Sequence, residues 1–310
     1  MAKQSGLGSR FLVGGYDLSG DVNAVGTIGG ALAPIDTTDI TQSAHSRIPG
    51  LADGSMSWTS FFDVANAHPV LSALPGTDAL VSFLPSPLAV GTPVANVDAI
   101  QVSYNPTRSN AGDLTIACEA QADTGAPLEW CVALTPGVRA DTGATNGASL
   151  DQGAGFTAPA VPATTVTAAN TSPLTSTVVI TGGTVTNVAV NGVTAGTGDG
   201  TYTVPSGGAI AVTYSAAPTW TWTLGTASGA ALYLQATRFT GSSATVTVQH
   251  SADNSTWATL GAFTAVTAAP AFQRLAVTGS VSRYLRVISA GTFTALSFAA
   301  AALRYPDPVA

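Results

Sequence analysis

The run Leu114-Thr115-Ile116-Ala117-Cys118-Glu119-Ala120-Gln121 and, six residues on, Leu128-Glu129-Trp130-Cys131-Val132-Ala133-Leu134-Thr135 decides the fold class. Each half alternates apolar and polar side chains, the period of a strand with one buried face. Leu114, Ile116 and Cys118 share a face in the first half, and Leu128, Trp130, Val132 and Leu134 share one in the second. The apolar faces of a hairpin coincide if 118 stands opposite 130. The loop is then Asp123-Thr124-Gly125, with glycine at the position that needs a left-handed backbone. In this register Cys118 and Cys131 point to opposite faces, which argues against a disulfide and for two reduced thiols. Glu119 and Glu129 then oppose each other on the polar face, at a cost of some tenths of a kcal/mol. Two readings stand for that pair: a solvated face, or a deliberate acidic wall.

The same strand pattern extends in both directions. Residues 54–61, 79–84 and 99–104 alternate, and residues 105–113 are rich in turn formers. The one helical signal is residues 66–74, with Asn66 as cap, Pro69 in the first turn and Pro75-Gly76 as the stop. His68 at its start is expected to cap or pack rather than to catalyse. Residues 1–138 thus read as one β unit. Residues 139–174 are poor in large apolar side chains and read as a linker with a strand or two. Residues 175–222 form a compact meander of immunoglobulin-like kind, with Asn191-Gly192 as a hairpin turn. Residues 223–310 alternate cleanly again and resemble a jelly-roll sandwich. A strand near Asp151 could belong to that last sandwich, making the meander an insertion; otherwise the units lie in series. The fold class expected is all-β with one short helix.

Charged residues are only 9% of the 310, against about 25% in ordinary soluble domains. A weakly charged surface tolerates self-association. The net charge of −7 is uneven: residues 1–155 hold fourteen acids and five bases, residues 156–310 three acids and five arginines. This is either chance variation between units or a surface that repels anions. In both cases the basic footprint of a nucleic-acid reader is missing. No run approaches the ~20 apolar residues of a spanning helix, and Met1-Ala2-Lys3-Gln4-Ser5-Gly6 opens no signal-peptide core.

Catalytic constellations are not legible. His45, His68 and His250 are scattered, and neither Cys/His zinc spacing nor a Gly-x-Ser-x-Gly elbow occurs. Asp199 in a Gly-rich stretch reads as a turn residue. We expect no enzyme, no cofactor and no metal. Trp220, Trp222 and Trp257 could stack on sugars, although the alternating Trp220-Thr221-Trp222 pattern better suits a core-facing strand.

Several stretches carry a likeness. They are Gly6-Leu7-Gly8-Ser9-Arg10-Phe11-Leu12-Val13-Gly14-Gly15-Tyr16-Asp17-Leu18-Ser19-Gly20-Asp21-Val22, Gly50-Leu51-Ala52-Asp53-Gly54, Phe61-Phe62-Asp63 with His68-Pro69-Val70-Leu71, and the run from Tyr104-Asn105-Pro106-Thr107-Arg108 through Glu119-Ala120-Gln121. In this order they resemble the major tail tube proteins of long-tailed, siphovirus-type bacteriophages, in the version found among actinobacterial phages. The resemblance covers about the first 135 residues. It implies a β-sandwich or barrel with one helix, assembled as stacked hexameric rings in the host cytoplasm and carried in the virion tail. The implied partners are further copies of the chain, the tape measure, tail terminator and baseplate proteins, and genomic DNA that passes through the lumen without specific binding. Glu119 and Glu129 become candidate lumen-facing acids, repelling DNA phosphates. Trp257 becomes a candidate surface aromatic on an outer unit that could touch a host-surface glycan. The alternatives are a virion decoration or a receptor-binding protein.

Overall fold

In chain order the computed structural model contains β1 (Arg10–Val13), β2 (Tyr16–Asp17), β3 (Val22–Gly29), β4 (Leu32–Asp36), β5 (Arg47–Ala52) and β6 (Ser55–Phe61). Helix α1 (Ala67–Ala73) follows, then β7 (Asp78–Leu84), β8 (Pro93–Arg108), β9 (Leu114–Ala122) and β10 (Glu129–Ala133). Three short strands come next, β11 (Arg139–Asp141), β12 (Thr145–Asn146) and β13 (Leu150–Asp151). A seven-strand group spans β14 (Thr167–Ala169), β15 (Ser176–Thr181), β16 (Thr184–Val190), β17 (Val193–Gly196), β18 (Gly200–Val204), β19 (Ala209–Ala216) and β20 (Thr219–Leu224). The chain closes with β21 (Ala227–Ser251), β22 (Ala258–Ala262), β23 (Ala271–Val281) and β24 (Tyr284–Arg304). The structure describes residues 6–30, 32–225 and 227–305; residues 1–5, read above for a signal peptide, lie outside them. The fold is all-β with one short helix.

The expected hairpin of 114–121 with 128–135 does not form. β9 lies between β6 and β8, whereas β10 lies between β8 and β24. The sixteen-residue β8 serves both: Pro93–Asn96 pairs with β10, and the run from Ala99 to Arg108 pairs with β9. Alternation reports that a strand has a buried face, not which strand lies beside it. The facing of β10 is also the reverse of that expected. Glu129, Cys131 and Ala133 are buried, and Trp130 is 51% exposed. Cys118 and Cys131 are free, buried thiols in different apolar clusters, and burial pushes both up to about 12.

The first core lies between β1, β7 and β8 on one side and β6 and β9 on the other, with Trp58, Leu71, Val81, Val97 and Ile116 inside it. α1 closes one end by burying Ala67, Val70 and Leu71. Asn66 does not cap it; its side-chain amide donates to Asp21 instead, at 2.5 Å. His68 packs, stacking on Phe62 at 4.6 Å between ring centres and hydrogen-bonding the Tyr104 hydroxyl at 2.6 Å.

The stretch expected as a linker carries β11, β12 and β13, all paired with β24. β24 and β21 form a ladder from Ala230↔Arg304 to Ser251↔Tyr284 around a second core containing Leu232, Val246, Val287, Leu296 and Phe298. The ladder slips register between Ala236 and Arg238 and again between Thr240 and Ser243. Gly241 sits there at φ +156°, and a Cβ on it would lie 2.5 Å from the Phe293 Cα. Only glycine lets the two backbones approach this closely.

A buried amide joins the N-terminal strands to β21. Gln235, 2% exposed, accepts from the Gly15 N–H at 2.8 Å and donates to the Leu80 carbonyl at 3.0 Å and the Ser82 hydroxyl at 2.6 Å. With β10 paired to β24, one sheet runs continuously from β2 to β22. The seven-strand group makes its own sandwich, of sheets β14-β19-β16-β17 and β18-β15-β20, around Val178, Ile180, Val188 and Val212. Its Asn191-Gly192 turn has both residues at positive φ, +51° and +81°, and joins Val190 to Val193 as a two-residue hairpin.

Candidate functional site: an open sheet and a bare hairpin

Two features near the N-terminus are incomplete in the single chain. The first is the sheet β3-β6-β9-β8. Its inner face is apolar: Met56 and Trp58 of β6 and Ile116 and Cys118 of β9 are buried. Pairing puts Ser57 beside Glu119 and Glu119 beside Ser103, and Thr59 beside Ala117 and Ala117 beside Asn105. The middle of the outer face therefore consists of small hydroxyl, amide and methyl groups, with the half-exposed ring of Phe61, opposite Thr115, at one end. Glu119 is the one charged side chain among the described residues of that face, half-buried and near the Gln121 amide at 3.4 Å. Both edges are unpaired. β3 pairs only with β6, and β8 from Ser103 to Arg108 pairs only with β9. Unpaired edges present a row of backbone donors and acceptors to any strand of matching register.

The second feature is the excursion between β3 and β6. β4 and β5 pair with each other and with no other strand. The described side chains of residues 34–52 are exposed, save those of Ser46 and Gly50, which are half so. They include Ile35 (52%), Ile48 (51%), Leu51 (90%) and Ile40 at full exposure. The tip is organised by polar contacts. Asp36 accepts from the Thr38 N–H at 2.9 Å and lies 3.0 Å from the His45 ring, while Asp39 accepts from the Thr41 N–H at 2.8 Å. The hydroxyl of Thr38, then its amide, hold the Asp36 carboxyl below the usual range. A lone two-stranded hairpin is marginal in water, and aliphatic side chains on both strands gain by burial against something else.

The other residues singled out by sequence lie elsewhere. Glu129 is not part of an acidic face with Glu119. It is 8% exposed, ion-paired with Arg274 at 3.2 Å and hydrogen-bonded by the Tyr233 hydroxyl. Arg274 also donates to Tyr233 at 2.9 Å. Burial, and then Glu129, push the Tyr233 phenol well above its ordinary range. The guanidinium is what allows an acid inside this sheet. Trp257 is half-buried, with the Arg286 guanidinium 4.1 Å from its ring centre, so one ring face is taken. Trp220 and Trp222 pack edge to face at 5.6 Å against the core of the seven-strand sandwich. Asp199 accepts from the Gly182 N–H at 3.0 Å, in a turn.

Sequence reasoning missed the hairpin of β4 and β5. Its signal was faint: Ile35, Ile40, Ile48 and Leu51 isolated in a Pro-, Thr- and Ser-rich stretch. It also missed the facing acids Asp78 and Asp98, on β7 and β8. Asp98 is pushed up by burial and then by Asp78.

Among the described residues no three His, Cys, Asp or Glu side chains group so as to hold a metal ion, and no helix is long and apolar enough to cross a membrane. No protein-family model matches the chain, and no curated protein matches it. Among solved structures it is similar to the SPP1 Dit (gp 19.1) protein, described as a paradigm of the hub adsorption apparatus in phages infecting Gram-positive bacteria. The identity is 9% and the TM-score 0.28, over 96% of this chain and 99% of that one. Similarity at this level defines neither a shared fold nor a shared role.

Proposed function

We propose that this chain is a structural subunit of a bacteriophage tail, of the major tail tube kind, with no catalytic role. The observation that carries the reading is the open sheet with the bare hairpin grown from it. Edge β3 of one copy meets edge β8 of the next, a head-to-tail contact that closes into a ring. Ring closure removes both exposed edges at once. The outer face of Ser57, Thr59, Ala117 and Glu119 then lines a bore. Its neutral groups, with the Phe61 ring at one end, and its single carboxylate per copy give DNA phosphates nothing to hold. The hairpin of β4 and β5 reaches an adjacent ring and buries Ile35, Ile48 and Leu51 there. The resemblance of the first 135 residues to tail tube proteins supports sixfold rings, assembly in the host cytoplasm and residence in the virion tail. In that arrangement the seven-strand sandwich and the β21–β24 sandwich lie outside the bore.

Negative-stain microscopy of the concentrated protein tests this directly. Rings or tubes of uniform bore are expected, and light scattering should give a ring mass that is a whole multiple of 30.8 kDa. A chain that stays monomeric at high concentration in low and high salt would overturn the proposal.

A further inference from the structure

The half-exposed indole of Trp130 stands in the middle of a sheet, between β8 and β24, where large aromatics are ordinarily covered. It lines an open groove of about 340 Å³, within the range of small-molecule sites. Leu150, Pro173 and Leu303 supply further apolar wall, and Asp151, Gln152 and Arg304 supply the polar groups. These polar groups are held in place. Asp151 takes the fork of Arg283 at 2.7 and 2.8 Å and its Oδ1 also accepts from the Gly153 N–H at 2.8 Å, which leaves a lone pair on Oδ2 for another donor. Arg304 spends its terminal nitrogens on the carbonyls of Val281, Ser282 and Arg283, while its buried Nε has no protein partner. The Gln152 side chain makes no hydrogen bond among the described residues.

The charges of the groove are therefore already committed. Asp151 is neutralised by Arg283, and Arg304 has three of its four terminal N–H groups on backbone carbonyls. What remains is a flat aromatic face with fixed acceptors and an amide beside it. We propose that this groove binds a neutral saccharide. One face of a pyranose ring is a patch of C–H groups that packs on the negative face of an indole, and its hydroxyls suit a fixed carboxylate and a free amide. A phosphate or a carboxylate would lie against the Asp151 carboxylate, whose Arg283 partner is already engaged, and a purely apolar ligand would leave the Gln152 amide unsatisfied. This assignment moves the sugar-facing aromatic from Trp257, whose ring carries Arg286, to Trp130. It stands independently of whether the chain forms tubes.

The test uses the full chain with neutral oligosaccharides built from mannose, galactose, glucose, arabinose or N-acetylglucosamine, read by calorimetry and by tryptophan fluorescence. At least one should bind. Trp130→Ala should weaken that binding tenfold or more, Gln152→Ala by a few-fold, and Trp257→Ala not at all, each with an unchanged thermal melt. If no sugar binds, or if Trp130→Ala binds as the parent does, the assignment falls. It also falls if Trp130 is shielded from acrylamide in assembled particles and Trp130→Ala fails to assemble, since the indole then belongs to a contact between copies.

Discussion

The ladder of β21 with β24 and the ladder of β4 with β5 are both antiparallel and both interrupted by register shifts, yet their surroundings are opposite. The first buries Leu232, Leu234, Val246, Val287, Leu296 and Phe298 under one continuous cluster. Among its described residues the second leaves Ile35, Ile48 and Leu51 exposed. Backbone pairing is common to the two, so pairing alone cannot be what fixes a ladder in place. Burial of a face does that. The long ladder belongs to the folding of one chain. The short one is a surface whose stabilisation has to come from outside.

Four variants, the last a double one, measure that contrast, in falling order of their effect on stability. Phe298→Ala removes a fully buried ring from the long ladder and the platform over which the Arg139 guanidinium sits at 4.8 Å. We expect a loss of about 3–5 kcal/mol in denaturant unfolding; under 1 kcal/mol would mean the ladder is not held by its core. Gln235→Leu strands the Gly15 N–H, while the Ser82 hydroxyl keeps Asn96 as its acceptor, and should cost about 1–3 kcal/mol. An unchanged midpoint would show that the joint between the N-terminal strands and β21 carries no energy.

Asp98→Asn acts in the other direction. Burial, then Asp78, raise the Asp98 carboxyl in the folded chain above its unfolded value. The folded state therefore holds its proton to higher pH, and ionisation at neutral pH weakens it. Stability is gained as pH falls through the folded pKa and stops changing below the unfolded one. The asparagine variant should melt a few degrees higher at pH 7, with the advantage gone near pH 3. An equal gain at both pH values would assign it to packing instead. Ile48→Asp with Leu51→Asp is the smallest perturbation of the single chain, within about 0.5 kcal/mol because both side chains are exposed. Its consequence for assembly should be complete: intact monomers or single rings, and no stacked tubes by microscopy. Normal tubes from this double variant would remove the hairpin from the stacking contact.

Strand existence was legible wherever one face is buried by the chain itself. Ser55–Phe61 shows a strict alternation of half-buried and buried residues along the sequence pattern, and Asn191-Gly192 placed its turn without help from tertiary contacts. Partner choice was not legible. β9 and β10 carry compatible apolar patterns, but β8 separates them, and the six-residue connection leaves room for that. Glu129 misled for a specific reason. Its hydrophilicity is cancelled by Arg274, 145 positions away, so its strand turned over and sent Trp130 outward. The strands of 139–151 were faint because what holds them to β24 besides backbone pairing is largely polar, Arg139 over the Phe298 ring and Asp141 accepting from the Ser289 hydroxyl, so no apolar alternation marks them. The incomplete sheet could be suspected from Glu119 and its small polar neighbours, but its open edges are a property of topology.

The seven-strand sandwich leaves the chain after Asp151 and returns at Ala227, and both points touch one turn: Asp151 stands opposite Tyr284, and Ala227 opposite Val281. Departure and re-entry side by side mean that the body closes around this junction whatever length of chain hangs from it. Such a port can be emptied, or refitted with an unrelated module, without re-registering a strand elsewhere. Variation in the inserted sandwich is thereby uncoupled from the constraints on how the rest of the chain is built.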